Sequence, residues 1–286
     1  MKSKGIKKMH SSNIIIHGLW IGNKLSITEL ITLKSFISNG HQFWLWTYNP
    51  IETEVPPNVT LKNANEIIPS DKVFCYKYTN QFGHGKGSYA GFSDIFRYKL
   101  LHQYGGWWTD MDVTCLKPLD FKEEYVFRVH HSLPLVGNIM KCPKGSKLME
   151  ICYKEASEKV TAENRDWHLP IEILVKNVYE LKLEYYIKNF SNTDSWDIIR
   201  KFLRADYKIP DNWYVIHWVN EEWRRNNIDK NKFLKKSLFF NLAKNYELNP
   251  IPAKGFDIIK KRMQLTKLNF GINFFWSKIK SYLKNK

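Results

Sequence analysis

The chain has 286 residues, 43% of them hydrophobic and 15% aromatic, which excludes a disordered protein and suffices for one large α/β domain with a sizeable core. Its net charge of +16 favours polyanions such as nucleic acid, anionic lipid headgroups or phosphate-bearing substrates without choosing among them, and a Lys- and Asn-rich compositional habit explains part of the excess equally well. No run of about 18 apolar residues could span a membrane, the basic N-terminus lacks the continuous apolar stretch of a signal peptide, and Cys75, Cys115, Cys142 and Cys152 share no CxxC spacing, so free thiols, no zinc site and a cytoplasmic location are expected.

The β-branched run "NIIIH" (13–17) predicts a buried first strand. "SITELITLKSFISNG" (26–40) predicts a helix, with Ser26 and Glu29 at capping-box spacing and Gly40 at the C-terminal cap. "QFWLWTY" (42–48) is a second strand, stopped by Asn49-Pro50, and a Pro-rich turn and brief strand follow over 54–68. Strand, helix, strand is how a parallel sheet with crossover helices begins. After a glycine-dense loop (82–91), a helix is expected over about 89–104, ended by Gly105-Gly106. "WWTD" opens the next strand, and 124–130 and 135–140 read as a hairpin. Beyond residue 145 the pattern is mostly helical, interrupted by a late strand "WYVIHW" (213–218). One domain over 1–250 and a basic, amphipathic helical extension over 251–286 are expected.

The chemistry concentrates in "YGGWWTDMDV" (104–113). On a continued strand, Asp110 and Asp112 would share a side, about 7 Å apart. Two carboxylates facing together need a positive partner. A hard divalent cation fits, because it takes oxygen ligands and needs only one or two from protein when phosphates supply others; Lys or Arg would also serve, and a solvated pair in a turn is the plain alternative. Asp94 and Arg97, three apart on the preceding helix, are either a surface ion pair or a carboxylate and a guanidinium fork presented to a polar ligand.

"GFSDIFRYKLLHQYGGWWTDMDVTCLKPLD" (91–120) resembles the sugar-binding DXD region of a glycosyltransferase family that includes the yeast initiating mannosyltransferase, bacterial capsular and lipopolysaccharide enzymes and, distantly, the large glucosylating toxins. Ser93-Asp94…Arg97-Tyr98, Tyr104-Gly105-Gly106, Asp110-Met111-Asp112 and Lys117-Pro118-Leu119 stand in the family's order. "IIIHGLWIGN" (14–23) is similar to its opening strand, and "IHWVNEEW" (216–223) is a weaker echo of a late His-Trp segment. Trp107, Trp108 and Thr109 depart from the smaller or aliphatic residues and Tyr usual there, and His217 stands alone where many members have His-His.

The resemblance implies a GT-A type, Rossmann-like α/β domain with a mainly parallel sheet and a helical C-terminal region. It implies a metal-dependent, retaining transfer from a nucleotide-sugar, UDP-linked by analogy, to a polysaccharide or lipid-linked glycan. Mn²⁺ or Mg²⁺ would be held at Asp110 and Asp112, with Asp112 coordinating directly, Asp110 contacting the ribose or the metal's water, and His217 or Asn220 completing the shell or touching the diphosphate. Asp94 and Arg97 would hold hydroxyls of the transferred sugar or the phosphate, Trp20 would stack on the base, Asn138 would sit where members often have a polar residue near the acceptor, and Asn138 and Trp218 would count among the cofactor-binding residues. Trp20 as a core aromatic and His217 as a satisfied buried histidine are the alternatives. "GHGKGS" (83–88) lacks phosphate-loop spacing, so a glycine loop near the donor or a plain linker is expected. "HLP" (168–170) belongs either to the acceptor side or to a helix start. The aromatic and lysine-rich tail over 269–286 either lies on an anionic membrane, placing the enzyme peripherally on its inner face, or packs on the domain. A toxin-like protein glycosyltransferase and a non-catalytic nucleic-acid binder are the competing functions; no nucleic-acid motif is evident, so no nucleic-acid partner is expected.

Overall fold

The structure is a computed structural model that describes residues 9–80 and 83–266. The tail over 269–286, expected to be an amphipathic helix, lies outside the described residues.

A seven-stranded sheet forms the centre. It uses β1 (Ile15–Trp20), β2 (Gln42–Thr47), β3 (Val59–Asn63), β4 (Gly106–Thr109), β6 (Val126–Arg128), β7 (Val136–Cys142) and β8 (Ile187–Lys188) in the order β3-β2-β1-β4-β7-β6-β8. β1, β2, β3 and β4 run parallel, β7 is antiparallel to both β4 and β6, and β8 is parallel to β6. This is the mixed, mainly parallel α/β architecture expected, and β6 and β7 form the expected hairpin. The late strand is real but placed elsewhere: β9 (Val215–His217) pairs antiparallel with β5 (Val113–Cys115), outside the central sheet.

Local chemistry explains the frame. α1 (Ile27–Ser38) starts at a complete capping box, with the Ser26 hydroxyl accepting from the Thr28 N–H and Glu29 accepting from the Ser26 N–H. α2 (Ala90–Tyr104) ends at Gly105 and Gly106, both at positive φ; a side chain on Gly105 would collide with the Lys144 backbone. Successive residues then face opposite sides of the sheet. Trp107 packs with Leu33 and Phe36 of α1, while Trp108 packs with Phe96 of α2 and with α3 (Lys147–Lys159) and α4 (Leu169–Glu180). A further core gathers α5 (Trp196–Arg204), α6 (Asn220–Arg225), α7 (Leu238–Asn245) and β9. β10 (Lys232–Phe233) pairs with β11 (Ile251–Pro252), and after α8 (Phe256–Gln264) Leu265 is fully buried in that same core.

The chain runs outward from β1 to β3, then returns to lay β4 on the other side of β1. Strand order therefore reverses between β1 and β4, and in open α/β sheets the crevice at such a reversal, beyond the strands' C-terminal ends, is where ligands bind. Trp20 ends β1 there, and Asp110 follows β4 directly.

Candidate active site

A cleft of about 650 Å³ opens at this reversal, and Trp20, Asp94, Arg97, Asp110, Asp112 and Asn138 line it. His217 and Asn220 join them from the C-terminal half. Trp218 does not: its ring is fully buried in the C-terminal core, and its indole N–H donates to the Thr114 hydroxyl at 2.8 Å.

The two aspartates do not lie on one strand. β4 stops at Thr109, the chain turns through Met111, and β5 starts at Val113. Three bonds hold this turn: the Asp110 N–H donates to the Asn138 carbonyl at 2.8 Å, the Thr32 hydroxyl to the Met111 carbonyl at 3.0 Å, and the Trp218 N–H to the Asp112 carbonyl at 2.9 Å. The turn is thus tied to β7, to α1 and to the C-terminal half at once.

Each carboxylate then acquires its own partners. Asp110 Oδ1 accepts from Arg97 Nη2 at 3.0 Å and from the Trp108 indole at 2.8 Å. Arg97 also reaches Asp94 Oδ1 at 3.3 Å. Asp94 and Arg97 are both buried, so the pair is no surface ion pair. Burial raises the Asp94 carboxyl to about 6, with Arg97 opposing and Asp110 adding to the rise. Asp110 is also raised, by burial and by Asp112, against the pull of Arg97.

Asp112 goes the other way. Burial would raise it, but the His217 charge and hydrogen bonds from His217 and from the Asn220 N–H hold it below the usual carboxylate range. Asn220 N donates to Asp112 Oδ2 at 2.6 Å, and His217 Nε2 lies 3.3 Å from the same oxygen. Val219, between them, adopts φ 54°, a left-handed conformation costly for a β-branched residue, which turns the Asn220 N–H toward the carboxylate.

Sequence reading missed the group behind His217. His217 Nδ1 lies 2.7 Å from Asp194 Oδ1, and Arg128 grips both oxygens of Asp194, at 2.6 and 2.7 Å. The His130 ring nitrogen Nε2 is 3.3 Å from Asp194 Oδ2. Burial alone would favour neutral His217, yet Asp112 and Asp194 on its two sides raise it to about 10. Both ring nitrogens of His217 thus face carboxylates, Nδ1 that of Asp194 and Nε2 that of Asp112. Asp194 lies 82 positions beyond Asp112 in an unremarkable "SNTDSW", so no local signal marks it.

The glycine loop closes the cleft from above. The Gly85 N–H donates to Glu221 at 3.2 Å, Arg224 donates to the Lys86 carbonyl at 2.6 Å, and His84 Nε2 lies 3.1 Å from Glu222. The loop is therefore clasped to α6 rather than serving as a plain linker.

Among the described residues, no group of three or more His, Cys, Asp or Glu is gathered to ligate a metal. The donor set at the turn does fit a hard cation. Asn220 Oδ1 is buried with no hydrogen-bond partner, on the residue whose backbone N–H binds Asp112, and both residues line the cleft.

Comparison with known proteins bears on this geometry. Residues 34–128, about a third of the chain, match the family model described as "Glycosyltransferase sugar-binding region containing DXD motif". No protein of curated function matches. Among solved structures, the chain is similar to one titled "PaToxG Glycosyltransferase" at 13% identity and TM-score 0.40, over 58% of this chain and 68% of that one. It is also similar to a structure titled as a transferase mutant, at 9% identity and TM-score 0.40, over 63% of this chain and 88% of that one. The family match takes in Asp94, Arg97, Asp110 and Asp112, the residues found together on the cleft floor: the chain carries a DXD-type sugar-binding region and is a glycosyltransferase.

Proposed function

We propose that the enzyme transfers a sugar from a nucleotide-sugar, UDP-linked, to a polysaccharide or lipid-linked glycan acceptor with retention of configuration, and that it needs Mn²⁺ or Mg²⁺. The observation that carries this reading is the pairing of Asp112 with the unpartnered Asn220 oxygen at the strand-order reversal. Asp112 and Asn220 hold the divalent ion, and Asp110 stands beside them. When bound, such an ion supplies positive charge where the departing diphosphate becomes negative.

The chain's own residues do the rest. Arg97, fixed by Asp94 and Asp110, directs its remaining donors at the sugar or phosphate; its Nε is buried without a partner. Asn138 has an unpartnered Nδ2 beside it. Trp20, half-buried with its indole N–H on the Lys24 carbonyl at 3.1 Å, presents its ring to the base. The imidazolium of His217 adds a fixed positive charge near the leaving group. In the transfer the bond from the anomeric carbon to the phosphate oxygen breaks, and a bond to the acceptor oxygen forms. The acceptor's hydroxyl proton passes to the departing diphosphate.

The stripe Phe256, Ile259 and Met263 on α8, exposed at 76%, 55% and 43% and set beside Lys260 and Arg262, supports docking on an anionic membrane surface, where a lipid-linked acceptor would be met. Peripheral attachment to the inner face of the membrane by the 251–286 extension belongs to the same proposal.

A nucleotide-sugar panel with and without Mn²⁺, read by thermal shift and donor hydrolysis, tests the reading. Stabilisation and hydrolysis with one UDP-sugar, both abolished by EDTA, are expected. Hydrolysis indifferent to EDTA would remove the metal from the proposal, and no response to any nucleotide-sugar would remove the donor.

A further inference from the structure

The chain has eleven tryptophans, ten of them among the described residues. Nine of these ten have a hydrogen bond from the indole N–H or a ring contact. Trp20, Trp46, Trp107, Trp108, Trp218 and Trp223 donate hydrogen bonds. Trp44, Trp167 and Trp213 contact other rings. Trp196 has neither, yet it is half-buried and lines the cleft. Its ring packs in part against the C-terminal core and also lines the cleft, so the part of the indole left uncovered is available to a ligand there.

Its position is fixed. Trp196 is the first residue of α5, a strongly amphipathic helix anchored by Ile199, Phe202 and Leu203 in the C-terminal core. It follows Asp194 by two residues, and Asp194 holds the histidine that faces Asp112. The Ser195 side chain makes no capping hydrogen bond and also lines the cleft, as do His131 and Leu133 from the β6–β7 connection. Trp20, by contrast, ends a strand of the central sheet and packs with the core beneath α1. The two indoles stand on walls built by different cores, with the DXD turn tied to both.

We propose that Trp196 is the platform on which the acceptor's sugar ring stacks. A pyranose presents a flat face of C–H groups to the indole and hydroxyls at its rim, and the neighbouring serine and histidine side chains suit such a rim. The acceptor at this wall is thus a saccharide rather than a protein side chain, and the indole sets how the attacking hydroxyl is presented. This rests on the glycosyltransferase reading above for its role in transfer, though binding can be measured without it.

The probes are the methyl glycosides of glucose, galactose and N-acetylglucosamine for binding, and their octyl counterparts for transfer. Saturation-transfer NMR on the wild-type chain should mark the ring protons of at least one methyl glycoside. Trp196→Ala should lose that signal, and Trp196→Phe should keep most of it. In transfer assays Trp196→Ala should raise the acceptor KM at least tenfold, while the Kd for UDP stays within twofold of wild type.

An acceptor KM unchanged in Trp196→Ala, or no saturation transfer to any glycoside in wild type, overturns the proposal. So does a parallel tenfold loss of UDP affinity, which would move Trp196 to the donor, and so does transfer detected only onto protein. Wild-type protein that binds glycosides through Trp196 but neither binds UDP nor hydrolyses a nucleotide-sugar would retain the platform and defeat the function reading instead.

Discussion

The two sides of the cleft are built by different means. The sheet side is local: Asp94, Arg97, Asp110 and the turn lie within 19 residues and are positioned by one helix, one pair of glycines and one strand. The C-terminal side is remote: His217 and Asn220 reach Asp112 from 105 and 108 positions away, with Asp194 behind His217, and they are held by charge and by one strained backbone residue. The difference appears in the acids themselves. On the sheet side burial wins and raises Asp94 and Asp110. On the remote side the surrounding positive charge wins and keeps Asp112 and Asp194 ionised. Backbone topology sets where the site lies, and the remote side sets which carboxylate carries full charge.

The sharpest break of this contrast is Asp112→Asn, which keeps the shape but removes the charge on which both sides converge. Turnover should fall by roughly 10³-fold or more, with circular dichroism unchanged. An Asp112→Asn enzyme with normal turnover and Mn²⁺ dependence would end the metal assignment.

Next is Asp194→Ala, which leaves Arg128 buried without its carboxylate and frees one side of His217. Removing one partner of a buried pair typically costs about 3–5 kcal/mol, so a substantial drop in the urea midpoint is expected together with lost activity. If stability is unmoved, the remote side is not held by charge.

On the sheet side, Arg97→Lys keeps the charge but not the fork that spans Asp94, Asp110 and a ligand. A fall in donor kcat/KM of roughly 10–100-fold is expected, about 1.4–2.7 kcal/mol at tenfold per 1.36 kcal/mol. Unaltered kcat/KM would reduce Arg97 to a structural ion pair. Of comparable size is the last of the four, Trp20→Ala, which should weaken UDP binding by about 1–3 kcal/mol, the range for base stacking. Equal affinity by calorimetry in the folded variant would place the base elsewhere.

What the sequence made legible follows the same division. The Ser26 capping box, the glycine stop after α2 and the β6–β7 hairpin are contacts between near neighbours, and the structure contains each of them. The motif from Ser93 to Leu119 brought Asp94, Arg97, Asp110 and Asp112 to one cleft. A strand through Asp112 was not correct, because alternation cannot report that Asp110 bonds back to Asn138 and the chain then leaves the sheet. "WYVIHW" was readable as a strand but not as the partner of β5, since pairing partners 100 residues apart leave no local pattern. Asp194, Arg128 and Trp196 stayed invisible for the same reason: each is ordinary in its own segment and acquires meaning only from what the fold sets against it.

The clasp between the glycine loop and α6, with the bonds from Asp112 to the same helix, bears on how the chain is made. Synthesis proceeds from the N-terminus, and contacts between distant segments form after local ones. The strands through Cys142 are made before Asp194, His217 and Asn220. A nascent chain therefore displays its aspartate turn before it owns the counter-charges that set that turn's electrostatics or the helix that closes the loop above it. Competence to handle a charged donor arrives with the last third of the chain, so a polypeptide released before β9 lacks the His217 and Asn220 that meet Asp112.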